Sequence, residues 1–263
     1  MKNSKKIFNI LLFALPIIMC FSCSKGEKII ASKFADGKTP ALIYYMKDGK
    51  KVYEERFYPN GQMRSEGKYE GDLRSGVWKY YFEDGELFAK IEFKSNNEVK
   101  SCQVFQSKDN KIIDKGDEIK FVGFSSYEPS PITIEVKRKD YDEHYRFYNS
   151  FHIMEKITLK GNTPNGLSMS WFENGNIQSE SYYKDGMQDS VYTVYAESGQ
   201  KIIMGHYNKD TKVGKWEFYS SAGQPQGITI YDDKGAVLKD NTNSGLIYHR
   251  KPLSQTDSTA KQQ

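Results

Sequence analysis

The stretch Gly76-Val77-Trp78-Lys79-Tyr80-Tyr81-Phe82-Glu83-Asp84-Gly85-Glu86-Leu87-Phe88-Ala89-Lys90-Ile91-Glu92-Phe93 decides the fold of this chain. After Gly85, the residues Leu87, Ala89, Ile91 and Phe93 alternate with Phe88, Lys90, Glu92 and Lys94. One face of an extended strand is then apolar and the other mostly wet. Asp84-Gly85 accepts the positive φ angles of a two-residue hairpin turn. Folded about that pair, Phe82 stands opposite Leu87, Tyr80 opposite Ala89, Trp78 opposite Ile91 and Gly76 opposite Phe93. Large residues meet small or aliphatic ones across the strands, which makes an antiparallel hairpin the unit of structure.

The unit repeats. Aromatics recur every twelve residues at Tyr45, Phe57, Tyr69, Tyr81 and Phe93, and again at Trp171, Tyr183, Tyr195, Tyr207, Tyr219 and Tyr231, the two series being out of phase. A longer period of 24 carries Gly76, Trp78, Tyr81 and Gly85 in the spacing of Gly214, Trp216, Tyr219 and Gly223, with weaker copies at Gly166, Ser168, Trp171, Gly175 and at Ser190, Tyr192, Tyr195, Gly199. Turn pairs stand at Asn60-Gly61, Asp84-Gly85 and Asn174-Gly175, and at Asp48-Gly49 and Asp185-Gly186. Carried to the other copies, the register sets Gly166 opposite Tyr183, Ser190 opposite Tyr207 and Gly214 opposite Tyr231. Each ring is expected to lie over bare backbone, which gives these residues a structural role.

Two segments resemble the MORN-repeat variant of bacterial proteins. They are Phe57-Tyr58-Pro59-Asn60-Gly61-Gln62-Met63-Arg64-Ser65-Glu66-Gly67 with the following Gly76-Val77-Trp78-Lys79-Tyr80-Tyr81, and Trp171-Phe172-Glu173-Asn174-Gly175-Asn176-Ile177-Gln178-Ser179-Glu180 with Gly214-Lys215-Trp216. The resemblance covers roughly residues 41 to 95 and 166 to 235 and implies a meander of antiparallel hairpins. That family is often labelled as the antitoxin component of a toxin-antitoxin system, but a fold hosts many functions.

The chain begins with Lys2, Lys5 and Lys6 and an apolar run from Ile7 to Met19, the layout of a secretory signal and shorter than a membrane span. The run ends in Cys20-Phe21-Ser22-Cys23, which resembles a bacterial lipobox and implies acylation of Cys23 as the new N-terminus. Cys20 would leave with the signal, and Cys102 then stands as the only cysteine beyond the anchor, so no internal disulfide framework is expected. A net charge of +4 with both signs interspersed excludes a basic stripe and argues against nucleic acid.

Chemistry-bearing clusters are sparse. His144, His152, His206 and His249 lack metal-site spacing, so no metal and no cofactor are expected, and Cys102 has no flanking nucleophile motif. The expected organisation is a signal peptide (1–22), a tether (23–40), a first hairpin array (41–105), an irregular, β-rich insert (106–146), a second array (147–240) and a disordered tail (241–263). The fold class is all-β, an open meander of hairpin repeats of about 24 residues. Gly61, Gly76, Trp78, Gly85, Gly175, Gly214, Trp216 and Gly223 build the repeat. Tyr81, Trp171, Tyr195 and Tyr219 fall on the face away from Trp78 and Trp216 and are candidate binding aromatics, with packing beneath the insert or simple cross-strand pairing as the structural alternative. The expected function is a non-catalytic binding or scaffold module, held by lipid at a bacterial envelope membrane and engaging a protein, as an antitoxin-like or immunity factor. The rival is an envelope enzyme or glycan-binding protein with its site in the insert at Asp140, Asp142, Glu143 and His144.

Overall fold

A computed structural model describes residues 26–107, 110–125 and 131–242. The signal segment, Cys23, His249 and the expected tail beyond Thr242 lie outside the described residues. Among the described residues, nineteen antiparallel strands follow one another. The first sheet holds β1 (Glu27–Lys33), β2 (Pro40–Lys47), β3 (Lys50–Phe57), β4 (Met63–Glu70), β5 (Leu73–Tyr81), β6 (Leu87–Phe93), β7 (Val99–Ser107) and β8 (Asn110–Ile113), in chain order. The second holds β9 (Glu118–Phe124), β10 (Pro131–Lys137), β11 (Asp142–Phe147), β12 (Ile153–Lys160), β13 (Thr163–Trp171), β14 (Ile177–Lys184), β15 (Met187–Tyr195), β16 (Lys201–Asn208), β17 (Thr211–Tyr219), β18 (Pro225–Tyr231) and β19 (Val237–Asp240), also in chain order. The expected open meander is therefore the fold.

Two expected boundaries change. The stretch expected as a tether contains β1, which pairs along β2 from Glu27↔Met46 to Lys33↔Pro40. The stretch expected as an irregular, β-rich insert holds the strands β8 to β11, of which β8 pairs with β7 over only three positions and β9 with β10 across two register shifts, while β10 and β11 pair without a shift. Its aromatics stand off the twelve-residue period, so the periodicity does not reach strands that the backbone nevertheless forms.

Two kinds of turn alternate along the meander. Asp48-Gly49 and Asp185-Gly186 carry positive φ at both residues (52° and 73°; 50° and 87°), as a tight two-residue hairpin requires. Asn60-Gly61, Asp84-Gly85 and Asn174-Gly175 were expected to do the same and do not, since only the glycine has positive φ. At Asp84-Gly85 the amide of Gly85 donates to Phe82 O (3.0 Å) and that of Phe82 to Glu86 O (2.8 Å), closing a longer turn in which the glycine takes the left-handed place. The extra residue introduces a register shift between Tyr80 and Tyr81, so Leu87 faces Tyr81 and not Phe82, while Gly76↔Phe93, Trp78↔Ile91 and Tyr80↔Ala89 stand as the sequence predicts. Phe88, at the bulge, is buried along with its neighbour Ala89 and does not join the wet face.

The pairs Gly166↔Tyr183, Ser190↔Tyr207 and Gly214↔Tyr231 also form. The glycines' roles differ from the expectation, however. A Cβ on Gly76 or Gly214 would meet nothing within 4 Å; these residues are needed for φ of +61° and +66°. The bare backbone beneath the indoles is Gly67 under Trp78 and Gly205 under Trp216, where a Cβ would fall 2.1 and 2.2 Å from the ring.

The two sheets meet at the middle of the chain. One core joins Trp78, Tyr80, Phe88, Ile91, Cys102, Val104 and Ile113 of the first sheet to Ile134, Val136, Tyr145, Phe147 and Phe151 of the second. Phe88 stacks on Phe151 (centroids 4.7 Å apart) and meets Phe147 edge-on (5.1 Å). No buried member of this core comes from β13 to β19. Among the described residues, β13 to β19 thus form a single layer of sheet.

Candidate binding surfaces

Directly opposed residues of paired strands share a face. In the second sheet this rule traces one row through Ile134, Tyr145, Lys156, Met169, Glu180, Thr193, Met204, Glu217 and Ile228. Its first two members lie in the inter-sheet core. The face that packs against the first sheet at β10 and β11 therefore continues, uncovered by that core, along β13 to β18. Leu167 opposite Tyr182, and Val191 opposite His206, lie on it, and Tyr182 and Val191 are 45% and 41% exposed. Large apolar side chains exposed side by side on a single-layer sheet are the ordinary mark of a contact surface.

Trp171, Tyr195 and Tyr219 stand on this face by strand alternation, half-buried within the sheet. Tyr195 donates its hydroxyl to Glu180 Oε2 at 2.8 Å, and burial followed by that bond pushes its pKa up to about 12. Tyr81 is not with them. Its hydroxyl donates to Glu66 Oε1 (2.8 Å) on the outer face of the first sheet, opposite the side that carries Trp78. There Tyr53 donates to Glu66 Oε2 (2.6 Å), and Lys79 pairs with Oε1 (3.2 Å). Burial pushes the Glu66 carboxyl up, but those three hydrogen bonds outweigh it and hold the group below its usual value. The four candidate aromatics thus divide between two surfaces, because the sheets meet through opposite faces of the same repeat.

The reverse face of the second sheet carries Trp216, 1% exposed. Tyr207 meets it edge-on at 5.0 Å, Tyr192 tilted at 5.9 Å and Tyr231 at 6.3 Å, while Lys212 lies 4.6 Å over the indole. Burial holds the Lys212 ammonium below its usual value. All these rings belong to one sheet, so the cluster is self-packed.

The residues of the rival enzyme site do not converge. Consecutive positions on β11 point to opposite faces. Asp142 pairs with Lys120 at 2.7 Å. Glu143 turns to the core side, where it pairs with Arg138 (2.8 Å) and Lys156 (2.5 Å) and accepts from Tyr145 (2.9 Å). His144 faces away, and burial lowers its pKa against the opposing influence of Glu135 and Glu155. Asp140 is exposed in the preceding turn. His206 is exposed, and Cys102 is buried with its thiol pushed up to about 12 by that burial. Among the described residues no three potential metal ligands gather, and no helix is long and apolar enough to cross a membrane.

One recess was not anticipated. A cleft of about 300 Å³ opens on the inner face of the first sheet, lined by Ser32, Phe34, Ala41, Leu42, Arg56, Phe57, Pro59 and Arg64. The signal for it lies in the repeat, because Arg64 occupies the bulge position that Phe88 fills 24 residues later.

The geometry defines a class of protein, the β-hairpin repeat, in which each unit is two strands and two turns. The family described as MORN repeat variant matches residues 51–70, 74–95 and 164–185. Each matched segment spans one hairpin with its longer turn: β3–β4, β5–β6 and β13–β14. No curated protein matches the chain.

Proposed function

We propose that this chain is an exported lipoprotein of a bacterial envelope, anchored through an acylated Cys23, whose second sheet binds a protein partner without catalysis. The observation that carries this is the continuity of one face: the side of the second sheet that buries Tyr145 and Phe147 against the first sheet runs on through Leu167, Tyr182 and Val191 with nothing from that core upon it. The first sheet presents Phe88, Ile91 and Val104 to this side, so the occupant of the rest is a protein surface with aromatic and aliphatic side chains. In its finer form the role is that of an antitoxin-like immunity factor, guarding the envelope against a toxin that arrives from outside.

Two experiments test this. Fatty-acid labelling with a clickable analogue is expected to mark the wild type and to vanish in Cys23→Ala. Crosslinking in envelope extracts should capture a partner that is lost when Tyr182 and Val191 are both changed to Asp; these exposed changes leave the fold intact, as a circular dichroism spectrum checks. Capture unchanged by the pair, or capture only of a second copy of the chain, defeats the proposal.

A further inference from the structure

We propose that the Trp216 cluster on the reverse face of the second sheet is a socket for one aromatic side chain of a protein partner, seated against Lys212, Tyr231 and Val237. The proposal is independent of the opposite face of that sheet and of the lipid anchor.

The chain carries this constellation twice. Tyr69, Arg74, Trp78, Phe93 and Val99 recur in identical spacing as Tyr207, Lys212, Trp216, Tyr231 and Val237. The strand register recurs with them: Tyr69 stands opposite Arg74 and Phe93 opposite Val99, as Tyr207 stands opposite Lys212 and Tyr231 opposite Val237. So does the local geometry. Tyr69 meets the Trp78 ring edge-on at 5.2 Å and Tyr207 meets that of Trp216 at 5.0 Å, and the two indole N–H groups donate to the equivalent carbonyls of Lys68 (2.9 Å) and His206 (3.2 Å). A cation lies over rings of its own sheet in each copy, Arg74 at 4.6 Å from Phe93 and Lys212 at 4.6 Å from Trp216 and 5.8 Å from Tyr231.

The first copy has an occupant. Phe124, from β9 of the opposite sheet, lies 3.8 Å from the Arg74 guanidinium and 5.8 Å from the Phe93 ring. Tyr69 and Val99 pack with it against the seam, and Phe93 is 3% exposed. The same positions are uncovered in the second copy, where Val237 is 57% exposed, Tyr231 is half-buried, and Lys212 meets, among the described residues, no ring besides Trp216 and Tyr231. What fills the first copy therefore says what suits the second. A ring laid on Lys212, Tyr231 and Val237 gains a cation–π contact, an aromatic neighbour and an aliphatic one together. The copies differ one step further along the strand, where buried Cys102 gives way to exposed Asp240, which accepts from Thr229 (3.2 Å) and Thr242 (2.7 Å). The apolar patch stops there, so the socket takes a single ring and not a second sheet. Aromatic side chains seated in such preformed places are the anchors of protein interfaces.

The test is titration of the full mature chain, followed by amide and indole NMR shifts, with the β9 peptide Glu118-Ile119-Lys120-Phe121-Val122-Gly123-Phe124, capped at both ends, and with the same peptide carrying Phe124→Ala. The unaltered peptide is expected to saturate, with shifts centred on the Trp216 indole N–H and on β17 to β19. It should bind at least tenfold more tightly than the alanine form, the factor that burial of one phenyl ring supplies. Val237→Asp in the protein, at an exposed position of the edge strand, is expected to weaken the peptide at least tenfold, and Lys212→Gln at least twofold, with the β-sheet spectrum in circular dichroism unchanged. Absence of saturation, equal binding of the two peptides, undiminished binding in either protein variant, or shifts centred on β5 to β9, where the peptide would displace the chain's own strand, overturns the proposal. Saturation seen only in Tyr248→Ala would make the chain's own C-terminal segment the occupant, and shifts that grow with protein concentration alone would make it a second copy; either result overturns the proposal as well.

Discussion

At the scale of single residues, the repeat is a matched trade between ring size and backbone bulk. Trp216 lies on Gly205 and Trp78 on Gly67, and in the intermediate copy the smaller ring of Tyr192 stands opposite Ser181 as well as Gly205. Gly205→Ala places a methyl 2.2 Å from the indole, inside any tolerable contact, and is expected to cost about 1–3 kcal/mol by overpacking. The loss should shrink when Trp216→Tyr is present, as the Tyr192 copy implies, and a double-mutant cycle in urea measures the coupling. Ser190 tells the complementary story. It holds φ of 75° at the position where Gly76, Gly166 and Gly214 stand in the other copies. A left-handed conformation costs a residue with a Cβ about 1–2 kcal/mol, part of which glycine returns in chain entropy. Ser190→Gly is therefore expected to raise stability by about 0.5–1 kcal/mol, read as a higher urea midpoint with an unchanged slope.

At the scale of elements, stability is passed between neighbours, as in other repeat arrays. Turns 24 residues apart hold each other: Tyr58 donates to Tyr81 O (2.8 Å), Tyr148 to Trp171 O (2.8 Å) and Asn176 to Glu197 O (2.8 Å). Deletion of residues 177–200 removes one whole unit and brings Gly205 opposite Ser168 in the register that Ser181 held. The shortened chain is expected to keep its β-sheet spectrum and unfold with a smaller urea slope, in proportion to the surface lost. Deletion of 189–200 removes a single strand, sends the remaining long turns to the wrong edge and breaks those turn-to-turn bonds, so cooperative unfolding should be lost. The same 24-residue logic made the fold legible in the sequence, since Gly76↔Phe93 and Gly214↔Tyr231 follow from spacing alone. What spacing did not disclose was the bulge that accompanies each longer turn, or which side chain each copy places there. Asp84-Gly85 sits inside a longer turn because the bulge at Phe88 absorbs a residue, and Arg64 occupies the equivalent bulge of β4, 24 residues earlier. Of the candidate site, Trp171, Tyr195 and Tyr219 were legible as one face, but Tyr81 was not separable from them. Which face becomes the seam depends on contacts made once, not per repeat.

At the scale of the whole molecule, everything turns on that seam, and Phe151 shows what it requires. Phe151 occupies the left-handed place of the turn at 148–152, with φ of 70°, where Gly175 and Gly199 serve in the next two copies. A bulky residue there is strained by about 1–2 kcal/mol. It persists because its ring, 1% exposed, stacks on Phe88, meets Tyr80 edge-on and lies beneath Arg64. Loss of a buried phenylalanine costs about 3–5 kcal/mol, which exceeds the strain released. Phe151→Gly is thus expected to lower stability by about 1–4 kcal/mol although it corrects the backbone, whereas a glycine at a left-handed position outside the seam, as at Ser190 within β15, is expected to do the reverse. Cys102 reports on the same core, because its thiol is buried and pushed up to about 12, so in the native state it should be inert to alkylating reagents at neutral pH. In Phe151→Gly its alkylation should accelerate in step with the lost stability, while in Gly205→Ala, which loosens only the single-layer array, it should stay slow. Equal acceleration in both variants would mean that the two arrays open as one unit and that the seam is not a separate centre of stability.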